Sequence, residues 1–393
     1  MATKRNGAKF QGATIEQLAA AKEVIISTGS GGVGKTTSAA AIGAMAATHL
    51  GGRVLVLTVD PAKRLANALG LEAFGNIETR VPHQLFTAAG VEPRGELWAA
   101  MLDTKESWDA LVRTHAPDAA TREAILANPL YQNIAGKFVQ SHDYIAMERL
   151  YEIHASGRYD LVVVDTPPTR NALDFLDAPA RMADFFGGRL LRWLTMPYRS
   201  RLVTFASRPF TQVADRILGS KFLEDIAEFF VLFQSMEAGF VRRANEVSRV
   251  LGDRTTTFVV VSTLEAAPAH EAAFFMEELA RRRLHLGALV LNKVLPASLL
   301  DPAAASAASV LEAQATSLAA ELAPLLHGDP AQVARVLSEV AHSFHNLRLA
   351  AGREAEERSE LARRPEVTVS VPYFASDIHD LAGVLAVGQR LWR

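Results

Sequence analysis

The sequence predicts an α/β fold, a doubly wound and mostly parallel sheet with an inserted helical subdomain. Short runs of β-branched and aliphatic residues recur along the chain and are continuously apolar, which is typical of strands covered on both faces. Helical patterns separate the runs, so ligands are expected at the carboxyl edge of the sheet. One connection, residues 166–254, has 89 residues, whereas a whole βαβ unit needs about 30. This connection must therefore carry additional helices.

The elements follow in order along the chain. Strands are predicted at residues 24–28, 54–59, 161–165, 257–262, 289–292 and 367–371, with a further candidate at 96–102. An Ala-rich helix is predicted at 36–49, directly after the first strand. We expect one domain over residues 1–393, with helical subdomain inserts at about 103–155 and 175–250 and an Ala-rich helical insert at 296–364.

Composition excludes several classes of function. Lysine plus arginine number 41 against 43 aspartates and glutamates, so charge gives no reason to expect a nucleic acid partner. Because the chain has no cysteine, it can form no disulfide, thiolate metal site or cysteine nucleophile. The first 22 residues lack the apolar core of a signal peptide, and no run of 18 apolar residues occurs. These observations predict a cytoplasmic protein without stable membrane insertion.

The segment at 28–37, TGSGGVGKTT, has the pattern of a phosphate-binding loop. Its match to G-x-x-x-x-G-K-[ST] predicts backbone N–H groups turned around phosphate oxygens, Lys35 on the terminal phosphates and the Thr36 hydroxyl on Mg²⁺. The loop joins a strand to a helix N-terminus, which favours an anion there. The fold is thus predicted to be a P-loop NTPase. The candidate nucleotide-binding residues are Gly29, Ser30, Gly31, Gly32, Val33, Gly34, Lys35, Thr36 and Thr37.

Two aspartates follow predicted strands. Asp60, in VDPAK, is placed where a carboxylate orients an attacking water and accepts its proton. Asp165, in VVVDTPPT, fits a Walker-B-type acid that supports Mg²⁺ directly or through water. Taken alone, the first motif is also a common turn and the second a common cap.

Together, these three motifs resemble those of the arsenite-pump (ArsA) and guided-entry tail-anchored-protein ATPase family, whose loop is a deviant Walker A. The resemblance extends to STLE at 262–265 with Glu271, to LNK at 291–293 and to VPYF at 371–374. The longer string DTPPTRNALDFLDAP at 165–179 is most similar to the B-type subunit of a bacterial Get-like ATPase pair.

The resemblance implies an ATPase that uses ATP and Mg²⁺ and works as a face-to-face dimer, either a homodimer or a heterodimer with a paralogous ATPase. It implies that Asp60 and Lys35 are catalytic and that Asp165 opens a second switch. Glu265 corresponds to a nucleotide contact at the dimer face. Asn292, Pro372 and Tyr373 correspond to adenine-recognising positions.

Three departures from the family pattern change which family properties are expected of this chain. The absence of cysteine removes the thiolate arsenite site and the zinc clasp, and Lys63 stands where the family often has histidine. Ser30 stands where the family has a signature lysine that reaches the partner's nucleotide. By analogy with arginine fingers, losing such a cation costs roughly 10³ to 10⁵ in rate, or about 4 to 7 kcal/mol. Either a lysine-bearing paralogue supplies this charge, or Lys63 or Arg64 does.

A basic and aromatic segment covers the long connection. Residues 175–240 hold twelve aromatic residues, and 181–221 hold eight basic residues against two acidic ones. This segment is predicted either to bind an apolar partner, such as a client helix, or an anionic surface, or to form the subdomain's own core.

Three functions therefore remain open. The first is a dimeric switch that couples ATP to a helical client- or partner-binding subdomain. The second is a low-turnover regulatory subunit paired with a lysine-bearing paralogue. The third is a partition or positioning ATPase, in which residues 381–393 would form a membrane-targeting helix, although Gly383 and Gly388 argue against that helix.

Overall fold

The computed structural model describes most of the chain. The described residues are 14–59, 64–71, 75–134, 141–166, 176–178, 180–181, 184, 229, 231–232, 235–363 and 365–392. The strands are β1 Val24–Thr28, β2 Arg53–Thr58, β3 Thr79–Arg80, β4 Glu96–Met101, β5 Leu161–Asp165, β6 Thr256–Ser262, β7 Leu286–Val294 and β8 Val367–Pro372. The α-helices up to β5 are α1 Ile15–Ala21, α2 Lys35–His49, α3 Arg64–Leu69, α4 His83–Ala88, α5 Thr104–His115, α6 Ala119–Ala127, α7 Pro129–Ile134 and α8 Ser141–Ala155. Those after it are α9 Glu237–Leu251, α10 Ala266–Arg281, α11 Pro302–Ala313, α12 Ala315–Leu326, α13 Pro330–Leu361 and α14 Leu381–Leu391.

The strands form one sheet in the order β3-β4-β2-β5-β1-β6-β7-β8. Every neighbouring pair is parallel except β3 with β4. Asp165 at the end of β5 lies in register with Ser27 of β1 and Thr58 of β2. The carboxyl ends of these three central strands therefore meet at one edge, where a parallel α/β sheet carries its ligand site.

The sheet is covered on both faces, as the continuous apolar runs predict. Because side chains alternate along a strand, Val24 and Ile26 of β1 enter one core while Ile25 enters the other. The first core also contains Tyr144 of α8, and the second contains Ile42 of α2. Mostly parallel sheets are stable only when both faces are buried in this way.

Helices α5, α8 and α9 pack together on one face of the sheet. The rings of Trp108, Tyr144 and Phe240 pack with centroid distances of 6.1 to 6.5 Å. Phe229 and Phe240 are the described members of the aromatic segment, and both are buried in this core. The other ten aromatic residues of 175–240 lie outside the described residues.

The predicted fold class is confirmed, and each predicted strand is present, including the candidate at 96–102. The two-residue strand β3 was not predicted because its segment is too short to show a pattern. Strand β7 runs from Leu286 to Val294, longer than the 289–292 predicted, because it pairs with both β6 and β8.

The membrane-targeting interpretation of residues 381–393 is wrong. Leu381–Leu391 form helix α14, whose apolar residues Leu381, Val384, Leu385 and Leu391 are buried. Gly388 packs against Met45 of α2, where a larger side chain would collide. The apolar face of α14 is therefore part of the protein core. Within the described part of the chain, no helix is both long and apolar enough to cross a membrane.

Candidate functional site

The phosphate loop between β1 and α2 depends on two glycines that no other residue could replace without distortion. Gly29 has φ +151° and Gly34 has φ +96°, both in the region that side chains disfavour. A Cβ atom on Gly29 would overlap the Val261 carbonyl of β6, and one on Gly34 would overlap the Asn292 amide. The loop is thus packed so closely against β6 and β7 that no side chain fits at these two positions.

Lys35 begins α2 at the base of this loop. Its side chain is buried, and its Nζ donates a hydrogen bond of 2.8 Å to the Ser30 carbonyl across the loop. The positive ammonium and the amino end of α2 therefore lie at the same point. Both favour a bound anion, in the arrangement expected for a phosphate site.

The Asp165 carboxylate joins the loop helix to two strands. Its Oδ2 accepts hydrogen bonds from the Thr36 hydroxyl at 2.7 Å and the Thr58 hydroxyl at 2.9 Å. Asp165 is fully buried at the end of β5. Since the Thr36 hydroxyl donates its hydrogen bond to Asp165, the lone pairs of the Thr36 oxygen can bind a cation. Hydroxyl and carboxylate oxygens are the ligands that Mg²⁺ prefers, so this pair fits the predicted Mg²⁺ site.

Backbone contacts hold the ends of these strands in place. Thr166 donates to the Ser27 carbonyl from both its backbone N, at 3.2 Å, and its hydroxyl, at 2.9 Å. The Val59 N–H donates to the Asp165 carbonyl at 3.0 Å. Asp60, the predicted catalytic acid, lies outside the described residues, as does Lys63. Val59, which precedes Asp60, lies beside Asp165, so the chain leaves β2 at this same edge.

Asn292 braces the phosphate loop from β7. Its Nδ2 donates to the Val33 carbonyl at 2.8 Å, and its Oδ1 accepts from the Lys293 N–H at 2.9 Å. The family resemblance predicts that Asn292 contacts adenine, and the sequence gave no indication of this bracing role. Lys293, whose Nζ lies 3.5 Å from the Gly32 carbonyl, belongs to the LNK string but was assigned no role from the sequence.

A cavity of about 300 Å³ opens at the loop. It is lined by Gly32, Gly34, Lys35, Thr36, Thr37, Arg64, Asn67, Ala68, Thr166, Ile378 and His379. Five of the nine predicted nucleotide-binding residues of the loop are in this lining, and Arg64 was considered as a source of charge. Asn67, Ile378 and His379 belong to no motif, because the fold alone brings α3 and the segment before α14 to this edge.

The remaining predicted contacts lie outside this lining. Glu265 is exposed and precedes α10 directly after β6, and Glu271 is exposed on the same helix. Tyr373 is 66% exposed, and its backbone N–H donates to the Val294 carbonyl at 3.1 Å. Pro372 precedes it at the end of β8. These positions share the carboxyl edge of the sheet, and their roles toward a nucleotide remain predictions.

Comparison with known proteins identifies relatives of this site and fold. The model of the anion-transporting ATPase family matches residues 22–318. An uncharacterized protein of Streptomyces coelicolor is 30% identical over 273 residues, 69% of this chain and 62% of that protein. A putative arsenical pump-driving ATPase of Prosthecochloris vibrioformis is 27% identical over 201 residues, 49% of this chain and 43% of that protein. The protein named ATPase GET3 of Malassezia globosa is 26% identical over 305 residues, 75% of this chain and 80% of that protein.

The first two of these relatives are longer than the shared region. The match spans less than two thirds of each. The family model, which matches residues 22–318, covers the loop, Asp165 and Asn292.

Proposed function

This chain belongs to the anion-transporting ATPase family, and we propose that it binds Mg-ATP at the phosphate loop and hydrolyses it as a dimeric switch. The observation that carries the proposal is that Lys35 and Thr36 line one cavity, while the buried Asp165 carboxylate accepts a hydrogen bond from the Thr36 hydroxyl. The ammonium and the helix N-terminus complement the phosphates. The hydroxyl and the carboxylate complement the metal ion.

In the proposed hydrolysis, a few residues have separate roles. A water oxygen bonds to the γ-phosphorus, the bond to the bridging oxygen breaks with its electron pair, and the products are ADP and inorganic phosphate. When bound, Mg²⁺ supplies charge stabilisation to the phosphate oxygens. Lys35 neutralises developing charge, and Asp165 holds the Thr36 hydroxyl in position. Asp60 remains the sequence-based candidate for orienting the water and accepting its proton.

Ser30 favours a second function, that of a low-turnover subunit paired with a lysine-bearing paralogue. Ser30 carries no charge, and its Oγ is buried without a hydrogen-bond partner. It cannot perform the role that the family's signature lysine has across the dimer interface. Mixing this chain with a lysine-bearing paralogue would then give phosphate release well above the sum of the separate rates. Additive rates, with no complex on gel filtration, would contradict this second function.

We also propose that the helical subdomain binds a partner. The buried residues limit which side chains can form the binding surface. Phe229 and Phe240 are buried in the core on one face of the sheet, so neither is available to a client helix. Any client surface must come from other residues of 175–240. Since the chain has no cysteine, it cannot bind arsenite through thiolates.

Calorimetry and phosphate release test the leading proposal. Wild type should bind ATP with Mg²⁺, and Lys35→Ala should weaken that binding strongly. Lys105→Ala is the matched control, because Lys105 lies on the surface of α5 and pairs with Asp109 at 2.9 Å. It should leave binding unchanged. The proposal fails if wild type shows no ATP binding, or if Lys35→Ala binds as well as wild type.

A further inference from the structure

Lys293 lies at an irregularity in β7 beside the phosphate loop. The pairing of β7 with β8 shifts register between Leu291 and Val294. Lys293 lies within this shift and has φ +57°, a conformation that glycine adopts easily and lysine rarely. Such bulges re-aim a side chain and are frequent next to active sites. A glycine would adopt this conformation without strain. The presence of a lysine therefore indicates that the lysine side chain has a function.

The bulge directs this lysine onto the loop. The Asn292 carboxamide holds the strained backbone by accepting from the Lys293 N–H at 2.9 Å. The Nζ then lies 3.5 Å from the Gly32 carbonyl, and both residues are exposed. Because Lys293 and Gly32 are exposed whereas Lys35 is buried, the Lys293 ammonium lies at the solvent-facing surface of the loop.

We propose that Lys293 supplies, across the dimer interface, the positive charge that Ser30 lacks. This inference rests on the proposed function, since it requires two subunits facing each other with ATP between them. Released from the Gly32 carbonyl, the Lys293 ammonium binds phosphate oxygens of the partner subunit's nucleotide. It forms and breaks no covalent bond, and its charge stabilises the transferring phosphoryl group.

The backbone conformation makes a clean variant available. Lys293→Gly removes the charge and suits φ +57°, so the fold should remain intact or gain stability. Arg283→Gly is the matched control, because Arg283 has φ +59° and follows α10, away from the loop. Lys293→Arg keeps the charge. Ser30→Lys combined with Lys293→Gly restores a cation from the family's usual position.

Phosphate release and ATP-dependent dimerisation, followed by analytical ultracentrifugation, provide two readouts. We expect Lys293→Gly to reduce turnover at saturating ATP by about 10³ or more and to weaken dimerisation. Arg283→Gly and Lys293→Arg should resemble wild type, and Ser30→Lys should rescue Lys293→Gly. A mixture of Lys35→Ala and Lys293→Gly should exceed the sum of the two rates, because the first subunit lends Lys293 to the second subunit's nucleotide.

The outcomes separate this inference from the proposed function. If wild type fails to bind ATP, the proposed function is wrong and the inference falls with it. If wild type binds and hydrolyses ATP while Lys293→Gly matches it in both readouts, the inference alone is overturned. It is also overturned if Lys293→Arg loses as much activity as Lys293→Gly, or if the mixture shows only additive rates.

Discussion

The Asn292 side chain donates a hydrogen bond of 2.8 Å to the Val33 carbonyl and so ties strand β7 to the phosphate loop. Its oxygen is also occupied, since it accepts from the Lys293 N–H at 2.9 Å. Both ends of the carboxamide are thus bonded to backbone. In this geometry Asn292 fixes the shape of the loop, which every phosphate ligand depends on, in addition to any contact with a base.

Asn292→Ala should therefore weaken binding of all triphosphates to a similar degree. Losing one hydrogen bond of about 1 kcal/mol corresponds to roughly a fivefold loss of affinity. Calorimetry with ATP, GTP and inorganic tripolyphosphate measures this directly. A loss confined to ATP would mean that Asn292 acts on adenine and that the bracing role is unimportant.

Gly34→Ala should damage the site more than Asn292→Ala does. Gly34 has φ +96°, and an added Cβ would displace the Asn292 amide. The variant therefore combines backbone strain of about 1 to 2 kcal/mol with loss of the brace. Gly90→Ala is the matched control, because Gly90 has φ +75° but nothing within 4 Å of the added Cβ. Both variants should lose stability in urea, Gly34→Ala more than Gly90→Ala, and only Gly34→Ala should lose ATP binding. Equal ATP affinity in the two variants would contradict this account.

Asp165→Asn should separate metal dependence from folding. An amide oxygen can still accept the Thr36 and Thr58 hydroxyls that now reach Oδ2 at 2.7 and 2.9 Å. The negative charge near the metal is lost, so the gain in ATP affinity on adding Mg²⁺ should fall by about tenfold or more. Asp160→Asn is the control, because Asp160 accepts the Arg53 N–H at 2.8 Å at the opposite end of β5. A full Mg²⁺ effect in Asp165→Asn would remove this residue from the metal site.

The sequence predicted the parts of the fold and site that depend on local pattern. The strands are recognisable because burial on both faces leaves continuous apolar runs, and the loop because its glycines are required by geometry. Asp165 and Thr36 could be paired because parallel strands end at one edge. The positions of Asn67 and His379 in the cavity depend on how α3 and the chain before α14 fold back, which no local pattern records. The position of Lys293 against the loop depends on a bulge in β7, which the sequence does not show.

Gly388→Ala should destabilise the protein, because it pushes α14 away from α2. An added Cβ would overlap the Met45 side chain, and overpacking of this kind costs about 1 to 3 kcal/mol. Gly352→Ala in α13 meets nothing within 4 Å and should instead add about 0.5 to 1 kcal/mol through helix propensity. Chemical unfolding measures both changes. If Gly388→Ala is neutral, the close packing of α14 on α2 is not required.

The protein should lose stability as pH rises from about 4.5 to 7, in part through Glu148. Glu148 is 2% exposed, and burial raises its pKa from 4.5 to about 7 against the opposing charge of Arg243. In this window the folded chain holds a proton on Glu148 that the unfolded chain has released. Raising the pH therefore favours unfolding, by up to about 3 kcal/mol once the pH exceeds the folded pKa.

Glu148→Gln should flatten this dependence, because the amide does not titrate and keeps the shape of the buried side chain. Urea unfolding between pH 5 and 8 measures the slope. Glu360→Gln, at an exposed position on α13, should retain the wild-type slope. An unchanged slope in Glu148→Gln would show that Glu148 ionises in the folded protein as readily as in the unfolded chain, with the Arg243 Nε that lies 2.7 Å from its Oε1 offsetting the cost of burial.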